Sequence, residues 1–447
     1  MAEEAPERNI EDPDVITKYK TAAEIANQAL SAVAEAAKPG KSVAELCRIG
    51  DETIRSRCAA VFNKAKGKKR EPIGKGVAFP TCIGINNCAG HFSPLESEDV
   101  TVKEGDICSI DLGAHIDGYV ALLAATGVIS AGGIEWQAHP PEPFAWSNAK
   151  ALDATSSTGG ANETETMQVE VAETAQRTIP ERAADALYAA YYAAEAVLRL
   201  LRPGCTNTQV TEILAKVAAD FSCSVVEGVL SHEMKRYVID GRRVVLSKPT
   251  VDQRVEECQF EANTVFSIDV VMSTSENGKV KPGDVRTTVF KRAIERDYLL
   301  KMKASRQLLN EVNRSSPVFP FTLRGIVPDD PENKVARLGI GEMQSHGLVI
   351  PYPVLYEKDG QYVARFKYTA LILPSYTQRI TTMPFPMGVT STKKIQDASV
   401  RELLEQPVGK EAKRLRKQAA RAVMRVDDDE DARAAVPMDD DVAMQSV

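Results

Sequence analysis

The predicted order of secondary structure repeats along this chain. Two helices followed by strands occur on each side of a long segment of simple composition. Apolar residues at helical spacing predict a helix over residues 17–37, and Ser42 begins a second helix as its N-cap. In the later half, helices are predicted over 183–201 and from either Thr206 or Thr208 onward. This order predicts an α/β fold with two pseudo-symmetric halves, although no sequence repeat is visible.

The extended segments between and after these helices complete the predicted sheet. Residues 76–87 form one segment, and residues 106–120 alternate like a hairpin strand that bends at Gly113. A basic amphipathic helix is predicted over 298–312. The remaining strands are predicted at 244–246, 264–273, 286–290, 354–356, 362–373 and 380–382.

Composition divides the chain into a main domain with accessory segments. The main domain is predicted over 14–396, after a disordered, polar N-terminus at 1–13. Residues 131–182 are rich in Gly, Ser, Thr, Ala and Glu, which predicts a disordered insertion. A basic and then acidic tail is expected over 397–447.

Charge and cysteine usage restrict the classes of function. The net charge is −7, so attraction to nucleic acid must come from local basic patches. Eight cysteines without a CxxC pair or zinc-ligand spacing are typical of free thiols in a reducing compartment. No run reaches the roughly 18 apolar residues of a membrane span, and the N-terminus has no signal-peptide core. We therefore expect no membrane association.

Several strings in the chain resemble a known family. Asn86-Asn-Cys-Ala-Gly-His91, Ile110-Asp-Leu-Gly-Ala-His-Ile-Asp-Gly118 and Arg365-Phe-Lys-Tyr-Thr are similar to active-site strands of the type 2 methionine aminopeptidases. Strings such as Val15-Ile-Thr-Lys-Tyr-Lys20 and Pro320-Phe-Thr-Leu-Arg324 are closer to a non-peptidase branch. That branch is the proliferation-associated, ErbB-receptor-binding protein family, called curved-DNA-binding protein in fungi. The resemblance covers about residues 15–400 without the 131–182 segment. It implies the pita-bread fold, with a small helical insertion over 291–330.

The resemblance also identifies the positions of a former dinuclear metal site. They are His91, Asp111, Leu122, His232, Asp269 and Lys367. Such a site uses carboxylates that bridge two cations. Asp111 fits the first aspartate, but Leu122 and Lys367 stand where carboxylate ligands are expected. Asp269 replaces a glutamate. His232 best matches the metal histidine, and His91 the substrate-binding histidine.

These replacements predict no bound metal, no cofactor and no catalytic residue. Lys367 is expected either to fill the former pocket or to form a buried ion pair with Asp111 or Asp269. Two alternatives stay open. One is an aminopeptidase with a mononuclear metal site formed by Asp111, Asp269 and His232. The other is a peptide-binding adaptor that holds an N-terminus near His91.

Three basic clusters are candidate phosphate-binding sites, without aromatic residues for base stacking. They are Lys64, Lys66, Lys68, Lys69 and Arg70; Lys301, Lys303 and Arg306; and Lys410, Lys413, Arg414, Arg416, Lys417 and Arg421. The resemblance implies binding to the large ribosomal subunit and structured RNA, with DNA and regulatory proteins as further candidate partners. It also implies a cytoplasmic and nuclear or nucleolar location, and roles in ribosome biogenesis, translation or growth control.

Overall fold

A computed structural model describes residues 8–63, 73–141, 179–326, 334–415, 417 and 418. Across these ranges the predicted α/β fold with two related halves is confirmed. The elements are α1 (Pro13–Ala36), α2 (Val43–Ala60), β1 (Lys75–Ile85), β2 (Cys88–Gly90), a 3-10 turn (Glu96–Glu98), β3 (Ile107–Ile116), β4 (Tyr119–Val128), β5 (Trp136–Gln137), α3 (Glu181–Leu200), α4 (Asn207–Asp220), β6 (Ser224–Val225), β7 (Leu230–Met234), β8 (Val244–Leu246), β9 (Thr264–Ser273), β10 (Lys281–Pro282), β11 (Val289–Arg292), α5 (Lys303–Ser315), β12 (Phe321–Thr322), α6 (Leu323–Ile326), α7 (Lys334–Ser345), β13 (Val349–Tyr352), β14 (Leu355–Tyr356), β15 (Val363–Ile372), β16 (Thr377–Arg379), β17 (Phe385–Pro386) and α8 (Ala398–Glu405).

One large sheet carries both halves of the molecule. Its strands run in the order β1-β3-β4-β15-β9-β7-β8, with β16 paired to β15 and β6 paired to β9. Helices α1 and α2 pack on β1, β3 and β4, whereas α3 packs on β9 and β15 and α4 on β8. The largest apolar core lies between these helices and the sheet. The opposite face of the sheet is left for the candidate site.

The two halves meet between β4 and β15. Only Lys367 and Ala124 form a ladder pair there, and the hydroxyls of two threonines supply further contacts. Thr369 accepts from the Leu122 N–H and donates to its carbonyl, both at 2.9 Å. In the same manner, the Thr126 hydroxyl accepts from the Arg365 N–H and donates to the Arg365 carbonyl. Side-chain hydroxyls thus satisfy backbone groups that would otherwise be buried without partners.

Two strand predictions require correction. The segment predicted as one strand over 106–120 is a hairpin of β3 and β4, with its turn at Asp117 and Gly118 and no break at Gly113. Both turn residues have positive φ, 55° and 78°, as the Asp-Gly pair of a tight hairpin allows. The last predicted strand, 380–382, lies earlier, at Thr377–Arg379.

Two segments that the sequence predicts to be disordered contain residues that are ordered and packed on the main domain. Ile10 is buried against the sheet, and Asp12 caps α1, so the predicted N-terminal boundary at 13 lies too late. In the 131–182 segment, Ile134 is buried and Trp136 pairs with Pro386 in a two-stranded sheet. The segment's central part, 142–178, lies outside the described residues.

The helical insertion is larger than the predicted 291–330. Strands β11, β12 and β13 form a three-stranded sheet, and α5, α6 and α7 pack beside it around a separate apolar core that includes Leu308 and Met343. This insertion subdomain therefore runs from Val289 to Tyr352. The basic helix predicted over 298–312 begins only at Lys303. An ion pair between Arg324 and the buried Asp51, at 3.0 Å, joins the subdomain to α2.

The C-terminal segment is attached to the main domain at its start. Val400, Leu403 and Leu404 of α8 are buried, and α8 packs on α3 and α4. The predicted tail of 397–447 therefore begins inside the domain. Among the described residues, no helix has both the length and the apolar character of a membrane span.

Candidate functional site: an ion cluster at the centre of the sheet

Three of the predicted site positions lie in one row across four neighbouring strands. Asp111 of β3 pairs with Ala124 of β4, Ala124 pairs with Lys367 of β15, and Lys367 pairs with Asp269 of β9. Residues in cross-strand register point to the same face of a sheet. The sheet thus brings the two aspartates to either side of the lysine.

Lys367 bonds to both aspartates. Its Nζ lies 3.0 and 2.8 Å from the two carboxylate oxygens of Asp111, and 3.2 Å from Oδ2 of Asp269. All three side chains are more than nine-tenths buried. The ring of Phe79 lies below the ammonium, with its centroid 5.3 Å from Nζ. Of the two expectations for Lys367, the structure therefore shows the buried ion pair, and it involves both aspartates and not one.

Arg365 is a further member that the sequence interpretation missed. It precedes Lys367 by two residues on β15 and therefore points to the same face. Its Nε donates to Asp269 Oδ1 at 2.8 Å, and Nη1 lies 3.0 Å from Asp111 Oδ2. Gly90 leaves room for the guanidinium, because a Cβ there would lie 2.9 Å from Nη1. The period-two spacing of Arg365 and Lys367 was a signal that could have identified it.

The four residues form a neutral cluster, which we call the ion cluster: Asp111, Asp269, Arg365 and Lys367. Burial alone would raise the pKa of Asp269 above its usual value of 3.8. Arg365 and Lys367 outweigh this effect and lower the pKa to about 2. Two carboxylates and two cations balance, so each charge is offset within the cluster.

His91 lies next to this cluster. Its backbone has a φ of 67°, and its Nδ1 is 3.0 Å from the carbonyl oxygen of Pro353. Because the carbonyl can only accept, Nδ1 carries the proton in this contact. The ring of Tyr352 packs edge-on against the imidazole at 5.2 Å. Burial, together with the nearby Arg365, lowers the pKa of His91 to about 4.

His232 and Leu122 complete the predicted positions. His232 pairs with Ser267, two residues before Asp269 on β9, and its Nδ1 is 3.4 Å from the Gly241 carbonyl. Burial lowers its pKa. Leu122 is buried among apolar side chains and covers Gly113, where a Cβ would lie 2.3 Å from the leucine Cδ2.

The residues present do not fit a pair of divalent metal ions. Only two of the six predicted positions carry carboxylates, and both carboxylates are bound by Arg365 and Lys367. Within the ranges described above, no group of three or more His, Cys, Asp or Glu side chains is placed to hold a metal ion. A dinuclear site requires bridging carboxylates, and the only two carboxylates among these positions already bind Arg365 and Lys367.

The three predicted basic clusters differ in what the structure shows. Lys64, Lys66, Lys68, Lys69 and Arg70 lie outside the described residues, as do Arg416 and Arg421. Lys301 precedes α5, so it does not share a helix face with Lys303 and Arg306. The guanidinium of Arg306 donates to the carbonyls of Leu300 and Lys301. Lys410, Lys413, Arg414 and Lys417 are exposed on a helical segment after α8.

Comparison with known proteins gives the family. A profile of metallopeptidase family M24 matches residues 17–141. ErbB-3 binding protein 1 of Solanum tuberosum is 42% identical over 379 residues, which cover 85% of this chain and 84% of that protein. A curved DNA-binding protein of Schizosaccharomyces pombe is 32% identical over 413 residues, which cover 91% and 94% of the two chains. The chain belongs to the ErbB3-binding, proliferation-associated protein family.

A solved structure supports the fold of this family member. The structure of a thermophilic Arx1 superposes with a TM-score of 0.71 at 26% identity, covering 89% of this chain and 99% of that one. The fold is therefore the pita-bread fold of the M24 metallopeptidases. In this protein the ion cluster lies on β3, β15 and β9, where the two halves of the sheet meet.

Proposed function

We propose that this protein is a non-catalytic member of the aminopeptidase fold that binds ribosomes and structured RNA. The ion cluster is the observation that supports the absence of catalysis. A metal ion entering the site would have to displace both Arg365 and Lys367 from Asp111 and Asp269. It would then leave two buried cations without partners, which is costly in a low-dielectric site.

The binding function is supported by the surface of the insertion subdomain. The stretch from Ile294 to Met302 exposes large apolar side chains, among them Leu299, which is 87% exposed. Lys301 and Lys303 are exposed beside them. Exposed apolar groups with basic neighbours are typical of interaction surfaces. Because the whole chain is acidic, this local concentration of positive charge is one place where attraction to phosphates would arise.

The names of two relatives support the proposed class of ligand. The name of the Schizosaccharomyces pombe relative states binding to curved DNA, and that of the Solanum tuberosum relative states binding to ErbB-3. Together with the resemblance described above, these names support a nucleic-acid ligand and leave regulatory proteins as additional partners. We place the protein in the cytoplasm and the nucleus or nucleolus, acting in ribosome biogenesis, translation or growth control.

The test is co-sedimentation with purified large ribosomal subunits over a range of salt concentrations. The informative variant is Lys301→Glu/Lys303→Glu, which leaves the hydrogen bonds of Arg306 in place. Lys20→Glu/Lys279→Glu is the matched control, because both lysines are exposed outside the insertion subdomain. If each insertion lysine contacts one phosphate, the slope of log affinity against log salt falls by roughly 1.5.

The control variant is expected to bind like the wild type. Equal binding and equal salt slope in both double variants would contradict the surface assignment. If the protein binds naked duplex DNA more tightly than it binds ribosomes, the ligand is DNA and not RNA.

A further inference from the structure

The described part of the C-terminal segment carries a basic stripe. Residues 409–415, 417 and 418 are helical, and Lys410, Lys413, Arg414 and Lys417 are exposed on them. At 100° per residue these four positions fall within an arc of about 100° on one side of the helix. We call this set the basic stripe.

The stripe is held against the main domain. The Nζ of Lys413 lies 5.4 Å from the ring centroid of Tyr376, in the loop before β16. Arg414 pairs with Glu411 at 3.6 Å. Lys410 and Lys417 have no ion-pair partner among the described residues, so at least two cations of the stripe are available to an anionic ligand.

The sequence places a complementary run of charge close by. Residues 427–431 read Asp-Asp-Asp-Glu-Asp, five consecutive carboxylates. Eight residues, 419–426, separate this run from Gln418, and an extended chain of that length spans roughly 25–30 Å. The stripe rises only about 10 Å from Lys410 to Lys417. The acidic run can therefore reach the whole stripe of its own chain.

We infer that the acidic run 427–431 docks on the basic stripe and competes there with polyanionic ligands. Tethering over so short a linker gives an effective concentration on the order of millimolar, so a weak contact suffices to occupy the stripe. A phosphate backbone then has to displace the run, which reduces its apparent affinity. The competition with RNA rests on the proposed function, whereas the docking itself does not.

The first test measures the docking without any ligand. Acetylation of Lys410 and Lys417 by an amine-reactive reagent is quantified by mass spectrometry in the full chain, with Lys20 and Lys279 as internal references. The informative variant carries Asp427→Asn, Asp428→Asn, Asp429→Asn, Glu430→Gln and Asp431→Asn. The matched control neutralises the more distant run with Asp439→Asn, Asp440→Asn and Asp441→Asn.

We expect the stripe lysines to react more slowly in the wild type and in the matched control than in the informative variant. This difference should vanish at high salt, because exposed charges are screened. Heparin, used as a generic polyanion, should bind the informative variant roughly fivefold or more tightly than the wild type, a coupling at the lower end of the usual range. Equal lysine reactivity in all three chains would overturn the docking.

Ribosome co-sedimentation of the same chains separates the two proposals. If none of the chains binds ribosomes while the lysine protection persists, the proposed function fails and the docking stands. If all chains bind ribosomes equally and no protection is seen, the docking fails alone.

Discussion

Replacing Lys367 with methionine is expected to destabilise the fold strongly. The change keeps the length of the side chain but removes the ammonium that contacts Asp111 at 2.8 Å and Asp269 at 3.2 Å. Arg365 alone then faces two buried carboxylates. Loss of one partner from a buried ion pair costs about 3–5 kcal/mol, because the remaining charge stays desolvated. We expect the free energy of unfolding to fall by about this amount.

Two control variants separate burial from the mere presence of an ion pair. Lys41 contacts Glu45 at 2.7 Å, a similar distance, but both side chains are more than a third exposed. Lys41→Met should therefore cost only about 0.2–1 kcal/mol. In the second control, Lys367→Met is combined with Asp111→Asn, which restores the balance of charge. This double variant should recover part of the loss.

The dependence on pH gives an independent check. The pKa of Asp269 is lowered in the folded protein to about 2, so its stabilising effect is present above its usual pKa of 3.8. That effect is lost as the pH falls towards 2. Lys367→Met removes one of the two cations that lower this pKa. In both chains this loss begins near the unfolded pKa of 3.8, but in the variant it should be smaller in total and complete at a higher pH than in the wild type.

The assay is urea unfolding followed by circular dichroism at neutral pH, repeated at acid pH. A loss of stability no greater than that of Lys41→Met would refute the reasoning. So would a double variant that is less stable than Lys367→Met, since restoring neutrality should help.

Three further changes test other parts of the structure. Ile134→Ala is expected to lower stability by about 2–5 kcal/mol, because Ile134 is buried in a segment of simple composition; an unchanged thermal midpoint would show that the segment does not pack. Arg324→Met breaks the ion pair with Asp51 and should raise hydrogen exchange in the insertion subdomain before the main sheet; uniform exchange would contradict this. Leu122→Asp/Arg365→Gln/Lys367→Glu removes both cations and adds two carboxylates, and should bind transition metal in elemental analysis where the wild type does not.

Local sequence patterns predicted a helix or strand well where a single pattern, such as a continuous apolar run, was strong. The buried run at Thr264–Ser273 was predicted with the boundaries that the structure shows. Helix α7 was missed, although Ala336, Ile340 and Met343 follow helical spacing and are buried. Gly339 and Gly341 weaken its helix propensity, and the helix forms by packing against α5. Tertiary contacts, and not local propensity, therefore determine that α7 is helical.

The sequence predicted most residues of the site, but it did not predict which of them contact one another. The sequence left two possibilities for Lys367, which were to fill the former pocket or to pair with one of the two aspartates. The simultaneous contact with Asp111 and Asp269 depends on the register of β3, β4, β15 and β9, which no local pattern specifies. Arg365 was overlooked for the same reason, since its partners lie on other strands.

The central claim is that the ion cluster stands in place of a metal centre. The most direct measurement is elemental analysis of the purified wild-type chain after incubation with transition metals, combined with an assay of methionine release from a short peptide. We predict no metal in stoichiometric amount and no release above that of the heat-inactivated chain. About two bound metal ions per chain, with methionine release that a chelator abolishes, would contradict the account.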